Sequence, residues 1–264
     1  MKSIAHVSAA FLAFAAGPVW AQASSSAELA QQLSNPIADL ISAPIQLNYD
    51  ENIGADDSGS RWTTNIQPVI PFSISDDWNV ISRTILPVVS TDGIPSGSGS
   101  KEGLGDTVQS FFFSPKALTS TGWTWGVGPV FLLPTSTDDR FGAGEWGVGL
   151  TGVALKQQGP WTFGGLANHI VDVDGDTDIN ATFLQPFLAY NTPNAWTFTV
   201  NSESTYDWEA EEWAVPVNFI VSKLTSFGGQ PVSLGVGARY WAESATNGPE
   251  DWGARFILTF LFPK

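Results

Sequence analysis

Asn194–Trp213, NAWTFTVNSESTYDWEAEEW, alternates with period two and then breaks into an acidic turn. Trp196, Phe198, Val200, Ser202, Ser204, Tyr206 and Trp208 share one face, and Thr197, Thr199, Asn201, Glu203, Thr205 and Asp207 share the other. Successive strand residues point to opposite sides of a sheet, so one side of this strand is aromatic and apolar while the other is polar. The next stretch repeats the division, with Trp213, Val215, Val217, Phe219 and Val221 set against Asn218 and Ser222. So does the last, where Trp252, Ala254, Phe256, Leu258, Phe260 and Phe262 oppose Gly253, Arg255 and Thr259. The apolar side needs either a protein core or hydrocarbon against it.

Working outward, period-2 segments separated by turn residues recur from Pro44 onward, and twelve are counted: 44–51, 61–75, 77–90, 103–116, 123–135, 145–157, 161–172, 179–191, 195–207, 212–225, 231–243 and 252–263. No stretch after the first residues holds the 18 consecutive apolar residues of a membrane helix. Only a closed barrel then spans a bilayer, because an open sheet edge in hydrocarbon leaves backbone groups unpaired. Early strands resist phasing; Phe111, Phe112 and Phe113 fill both registers.

Connections alternate between short turns (75–77, 117–122, 158–160, 192–194, 226–230) and generally longer, acidic loops (52–60, 91–102, 136–144, 173–178, 208–211, 244–251). That is the barrel pattern, with the short turns periplasmic. Tryptophan placement agrees with it. Trp78, Trp123, Trp161 and Trp196 open strands beside short turns, and Trp62, Trp146, Trp213 and Trp252 open strands beside acidic loops. Two aromatic girdles are predicted, each indole setting its ring in lipid and its N–H toward headgroups. A soluble sandwich or propeller also places Trp at strand starts, but neither predicts both rings together with alternating loop lengths.

The chain has 264 residues, no cysteine and a net charge of −15, which makes nucleic acid a poor partner. Lys2, the apolar or small segment from Val7 to Trp20, and Ala21-Gln22-Ala23 read as a secretory signal peptide, residues 1–23, cleaved after Ala23. Residues 24–42 form a separate N-terminal segment, periplasmic or lumen-plugging. In it, Ala27–Leu33 is expected to make two helical turns, and Asn35-Pro36 to open a second short helix burying Ile37, Leu40 and Ile41. The barrel itself is assigned to 43–264, and an even strand count puts both termini in the periplasm.

The stretches NPIADLISAPIQLNYDENIG, GLGDTVQSFFFSPK, WGVGPVFLLPTSTDD, GPWTFGGLANHI, NSESTYDWEAEEWAVPVN, GGQPVSLGVGARYWAE and LTFLFPK, spread over nearly all of the chain, carry a resemblance. The chain resembles a family of bacterial outer-membrane proteins labelled as transporters and related to the MetA-pathway phenol-degradation barrel family, which sometimes bear the misleading label neuromedin U. The resemblance implies an outer-membrane β-barrel with a transport role. It implies no substrate and no catalytic residues. The ending Phe260-Leu261-Phe262-Pro263-Lys264 departs from the terminal aromatic residue of many such barrels.

Inward phase places Arg83, Glu203, Arg239, Arg255, Asn201 and Asn218 in or near the lumen. Buried charges there must be paired or hydrated, and they set the field along a narrow route for a small solute. Salt bridges that seal the barrel are the competing reading. Asn65, Gln67, Gln109, Asn168 and Gln185 are further candidates for the same wall. The expected function is therefore an outer-membrane channel or transporter passing small solutes through a polar lumen, the alternative being a non-conducting structural or adhesion barrel. Expected partners are outer-membrane lipid, lipopolysaccharide and an unidentified small solute. The oligomeric state is left open.

No enzyme, cofactor or metal site is expected. DVDGDTD at 172–178 resembles a calcium loop, but its Gly175 comes too early and Phe183 stands where the closing Glu is required. With the signal removed His169 is the only histidine, and nothing in the sequence brings it to Ser202 or Ser204. The acidic loop residues, including Asp56, Asp57, Asp138, Asp139, Glu209 and Glu250, predict a negative outer rim.

Overall fold

The computed structural model describes residues 25–173 and 178–263. The expected signal peptide, residues 1–23, and Asp174 and Asp176 of the acidic 172–178 stretch lie outside the described residues. Helix α1 (Ser26–Leu33) is followed by fifteen strands: β1 (Ile41–Ile53), β2 (Gly59–Ile66), β3 (Val69–Ser73), β4 (Trp78–Asp92), β5 (Lys101–Leu104), β6 (Thr107–Pro115), β7 (Trp123–Leu133), β8 (Gly147–Gln158), β9 (Trp161–Asp172), β10 (Asn180–Asn191), β11 (Trp196–Ser202), β12 (Ser204–Asp207), β13 (Glu212–Phe227), β14 (Gln230–Glu243) and β15 (Asp251–Phe262). Every strand pairing is antiparallel. The ring closes where β1 meets β15, from Ile41 opposite Phe262 to Tyr49 opposite Ala254. Three pairs (β2 with β3, β5 with β6, β11 with β12) are halves of one interrupted stave, so the wall is a twelve-stave closed barrel.

Each interruption has a proline beside it. Pro68 lies in the first, Pro87 accepts from Gly105 N across the second, and Pro216 faces Glu203 at the third. A proline has no N–H to give its neighbour, so the ladder lapses there. Pro216 disturbs both sides of β13: opposite β14 the register slips between Val215 and Pro216.

The wall is inverted relative to a soluble protein. Along β1, Ser42, Gln46, Asn48 and Asp50 are buried inside, while Ile45 is exposed outside. An apolar row crosses five strands on the exterior, from Phe198 to Val221, Val236, Phe256 and Leu47. The ambiguous FFF is settled by register: Phe112 faces in and is 1% exposed, while Phe113 lies outside.

The lumen is not polar all round. Phe112, Ile81, Val153, Leu155 and Leu166 fill one side of it together with Ile37 of the N-terminal segment. The capping box between Ser25 and Glu28 starts α1, with Glu28 N donating to Ser25 Oγ at 3.2 Å and Ser25 N to Glu28 Oε2 at 2.7 Å. Leu29, Ala30 and Leu40 then pack on Ala195, Leu224 and Leu261 at the short-turn end. The expected second short helix is not formed. Asn35 Oδ1 accepts from Ile37 N and Asn35 O from Ala38 N, which makes a single turn before β1 takes up its pairing at Ile41.

Candidate functional site

Inside the polar half of the wall a charge cluster crosses the lumen. Arg255, on β15, is 1% exposed and grips Glu203 with both guanidinium ends, Nη1 to Oε1 at 2.9 Å and Nη2 to Oε2 at 2.6 Å, while its Nε donates to Asn48 Oδ1 at 2.7 Å. Two parallel charge-assisted bonds fix direction as well as energy. Glu203 is held at the break opposite Pro216, between β11 and β12. Arg239 Nη1 stands 3.7 Å from Glu203 Oε2, and its Nε 3.1 Å from Asp50 Oδ1. The second contact is close but poorly aligned, an ion pair rather than a hydrogen bond.

Asp50 anchors the upper part of the cluster. It receives Trp241 Nε1 at 2.9 Å, lies 3.7 Å from Arg61 Nη2, and is 2% exposed. Arg239 also stacks over the Trp241 ring, 4.5 Å from its centroid. Gly253 faces this crowd; a Cβ there would collide with Tyr49 O and stand 3.1 Å from Asp50 Oδ1. Asn218 Nδ2 donates to Asn201 Oδ1 at 2.8 Å, joining two more candidate residues across β11 and β13.

Arg83, Glu203, Arg239, Arg255, Asn201 and Asn218 are thus all on the inner wall. Sequence reasoning missed Asp50, Arg61 and Trp241. The alternation Ser42, Gln46, Asn48, Asp50 held a signal for the first, and Arg61 is its cross-strand partner. Trp241 held one too, because it lies two positions after Arg239 and shares its inward phase. Gln109 is corrected. It pairs with Thr84 on the outer face, where its amide bonds Thr84 Oγ1 and Ser82 Oγ at 2.6 and 3.0 Å.

The eight girdle tryptophans lie on the outer face. Trp62, Trp78, Trp146, Trp161, Trp196 and Trp252 are exposed, and Trp123 and Trp213 are half-buried. Trp123 meets Phe163 and Trp161 meets Tyr190 edge to face, while Trp62, Trp213 and Trp252 pack tilted against Tyr49, Tyr206 and Tyr240. Trp78 is twelve positions along β4 from Ser90, the residue opposite Trp62. At about 3.3 Å per residue and about 40° of tilt, that separates the rings by roughly 30 Å.

Two cavities flank the charge cluster, and Glu203 lines both. The lower one, about 260 Å³, lies between the N-terminal segment and the cluster and includes Gln46, Gln67, Arg83, Gln185 and Phe187. The upper one, about 340 Å³, is bounded by Asp50, Arg61, Asn65, Arg140 and Phe141. Arg140 and Phe141 reach it from the 134–146 loop, which folds inward because Asp106 accepts Ser136 N at 3.0 Å and Gly144 N at 2.9 Å.

Asp138 fastens this loop to Lys101 and, within the loop, accepts from Arg140 Nε at 2.8 Å, so it belongs to a clasp rather than to an open acidic rim. The Lys101 hydrogen bond, and then that of Arg140, hold the Asp138 carboxyl well below the usual range. A depressed carboxyl stabilises the fold above its unfolded pKa and loses that contribution as pH falls through the folded one. The clasp is therefore expected to persist at pH 4 and open only in stronger acid. Amide exchange over 134–146 checks this: Asp138→Asn should speed exchange at pH 7 at least several-fold, and no change would remove the clasp.

His169 Nδ1 meets Thr182 Oγ1 at 2.9 Å, and Trp208 Nε1 donates to the same hydroxyl at 2.8 Å. Ser202 and Ser204 instead share a 2.6 Å bond with each other. Among the described residues His169 and these serines therefore form no acyl-transfer arrangement.

No family model matches the chain, and no curated protein matches it. Among solved structures, an outer membrane channel from Pseudomonas putida F1 is similar at a TM-score of 0.65 and 14% identity, over 85% of this chain and 96% of that one. The outer membrane phospholipase A from Escherichia coli overlaps at a TM-score of 0.49 and 10% identity, over 84% of this chain and 96% of the other, and bears on no activity here. The likeness to the channel is one of barrel fold.

Proposed function

We propose that the chain is an outer-membrane channel for small solutes, with short turns and both termini periplasmic, whose passage is restricted twice. The observation that carries this is the inverted wall: an apolar exterior between two indole rings encloses buried Gln46, Asn48, Asp50, Asn218 and Arg255. Hydrocarbon outside and solute or water inside satisfy both surfaces. The N-terminal segment narrows the short-turn end, and the Glu203 cluster divides the remaining space into its two cavities. Kinship with the phenol-degradation barrels is part of the same reading and rests on the sequence stretches alone.

Two measurements test it. Val236 is 58% exposed in the middle of the outer apolar row. In lipid, Val236→Arg is expected to destabilise the barrel by about 2–4 kcal/mol; an effect near zero in a urea titration on vesicles would mean that this face does not meet hydrocarbon. In planar bilayers the purified chain is expected to show small, discrete openings. A second reading, the non-conducting scaffold, is favoured by the ion pairs that span the lumen, and complete electrical silence would select it.

A further inference from the structure

We propose that the lower cavity is a binding site for a small monocarboxylate, with Arg83 as the residue that takes the carboxylate. This deepens the channel reading and rests on it.

The inference starts from charge. On the lumen wall Arg61, Arg83, Arg239 and Arg255 stand with Asp50 and Glu203, four cations to two anions, while Arg140 of the inward loop has its own partner in Asp138. Arg255 occupies Glu203 with both nitrogens, Arg239 lies against both carboxylates, and Arg61 reaches Asp50. Among the described residues Arg83 has no carboxylate at ion-pair distance. Its one side-chain partner is neutral, Gln67 Oε1, which Nη2 reaches at 3.2 Å. A guanidinium offers five N–H donors in a flat fork, so most of this one remains available, and it borders the cavity.

A cation withdrawn from bulk water is costly unless an anion or water compensates it. The excess positive charge is also local, in a chain whose net charge is −15, so an anion is drawn to this point of the lumen rather than to the protein in general. A planar carboxylate fits the fork through two parallel bonds, a match that a spherical halide lacks.

The rest of the cavity limits the body of the ligand. Gln185, Asn201 and Ser222 supply neutral polar groups, while Phe187, Ile220 and Ile257 supply apolar surface. At about 260 Å³ the space falls just below the roughly 300–1,000 Å³ typical of drug-sized pockets. A short aliphatic or single-ring acid is the class that fits, entering past the N-terminal segment or through the charge cluster.

The test is calorimetric titration of the full chain in detergent with butyrate, and with butan-1-ol as the neutral counterpart. Butyrate is expected to bind at least tenfold more tightly than the alcohol. Arg83→Gln should abolish that preference while leaving the thermal midpoint at or above the parent value, because it removes a cation without a carboxylate partner. Arg83→Lys keeps the charge but loses the fork, and should retain an intermediate preference.

Equal binding of acid and alcohol, or undiminished butyrate binding by Arg83→Gln, would overturn the assignment. Chloride displacing butyrate at matched concentration would also overturn it, by reassigning the position to a simple halide. Conductance is read separately. A protein that conducts but does not prefer butyrate loses the site and keeps the channel, whereas one that binds butyrate and never conducts keeps the site and loses the channel.

Discussion

Replacing Glu203 with alanine is expected to destabilise the barrel by about 3–5 kcal/mol, the usual consequence of removing one member of a buried ion pair and leaving the other charge uncompensated. Glu203 balances Arg255 directly and Arg239 at 3.7 Å. Without it, Arg255, 1% exposed, keeps only Asn48, and the four lumen arginines face Asp50 alone. Arg255→Met should cost clearly less. It removes a cation from a lumen already in cationic excess, and Glu203 retains Arg239. Urea titrations of the two variants in the same lipid decide the matter through their order. If Arg255→Met proves the more damaging, packing of the arginine stem rather than charge balance holds this region together.

Locking the N-terminal segment should lower conductance at least tenfold. Ser34 Oγ donates to Asn191 Oδ1 at 3.2 Å, which selects Ser34→Cys with Asn191→Cys as the pair to cross-link by oxidation, and the chain has no cysteine of its own to interfere. Outright deletion of residues 25–40 is a less clean experiment. It strips Leu29, Ile37 and Leu40 from their contacts, each a burial of about 1.5–3 kcal/mol, and so mixes stability with access. The segment is held by these few aliphatic contacts together with single hydrogen bonds such as Gln31 Nε2 to Gly159 O and Gln157 Nε2 to Gln31 O. Ordering its backbone opposes them. The oxidised and reduced pairs are compared in one bilayer; equal currents in both states would mean that solute passes without displacement of the segment.

The barrel was legible because its cause is repeated along the chain. Each stave carries its own period-2 division, so the twelve predicted segments correspond to the twelve observed staves even where three are split at prolines. The inward side of the last strand was equally plain, since Arg255 and Thr259 oppose a face of Trp252, Phe256, Leu258, Phe260 and Phe262 that no aqueous surface would favour. Gln109 shows the limit. On a strand whose two faces both carry apolar residues, a polar side chain has no fixed direction, and here it satisfies its amide with Thr84 and Ser82 on the outer wall.

What the amino-acid sequence determined by itself was therefore periodic and local: the alternation, the girdle tryptophans at strand starts, the lengths of turns and loops, and the sign of each lumen charge. Tertiary structure alone decided which charges meet. Asp50, Arg239 and Trp241 come together because β1 and β14 both flank β15, Trp241 sharing the inward phase of Arg239 two positions before it. That three arginines share two carboxylates while Arg83 is left with a glutamine follows from stagger around a closed ring, a relation between distant strands that no single stretch of sequence contains.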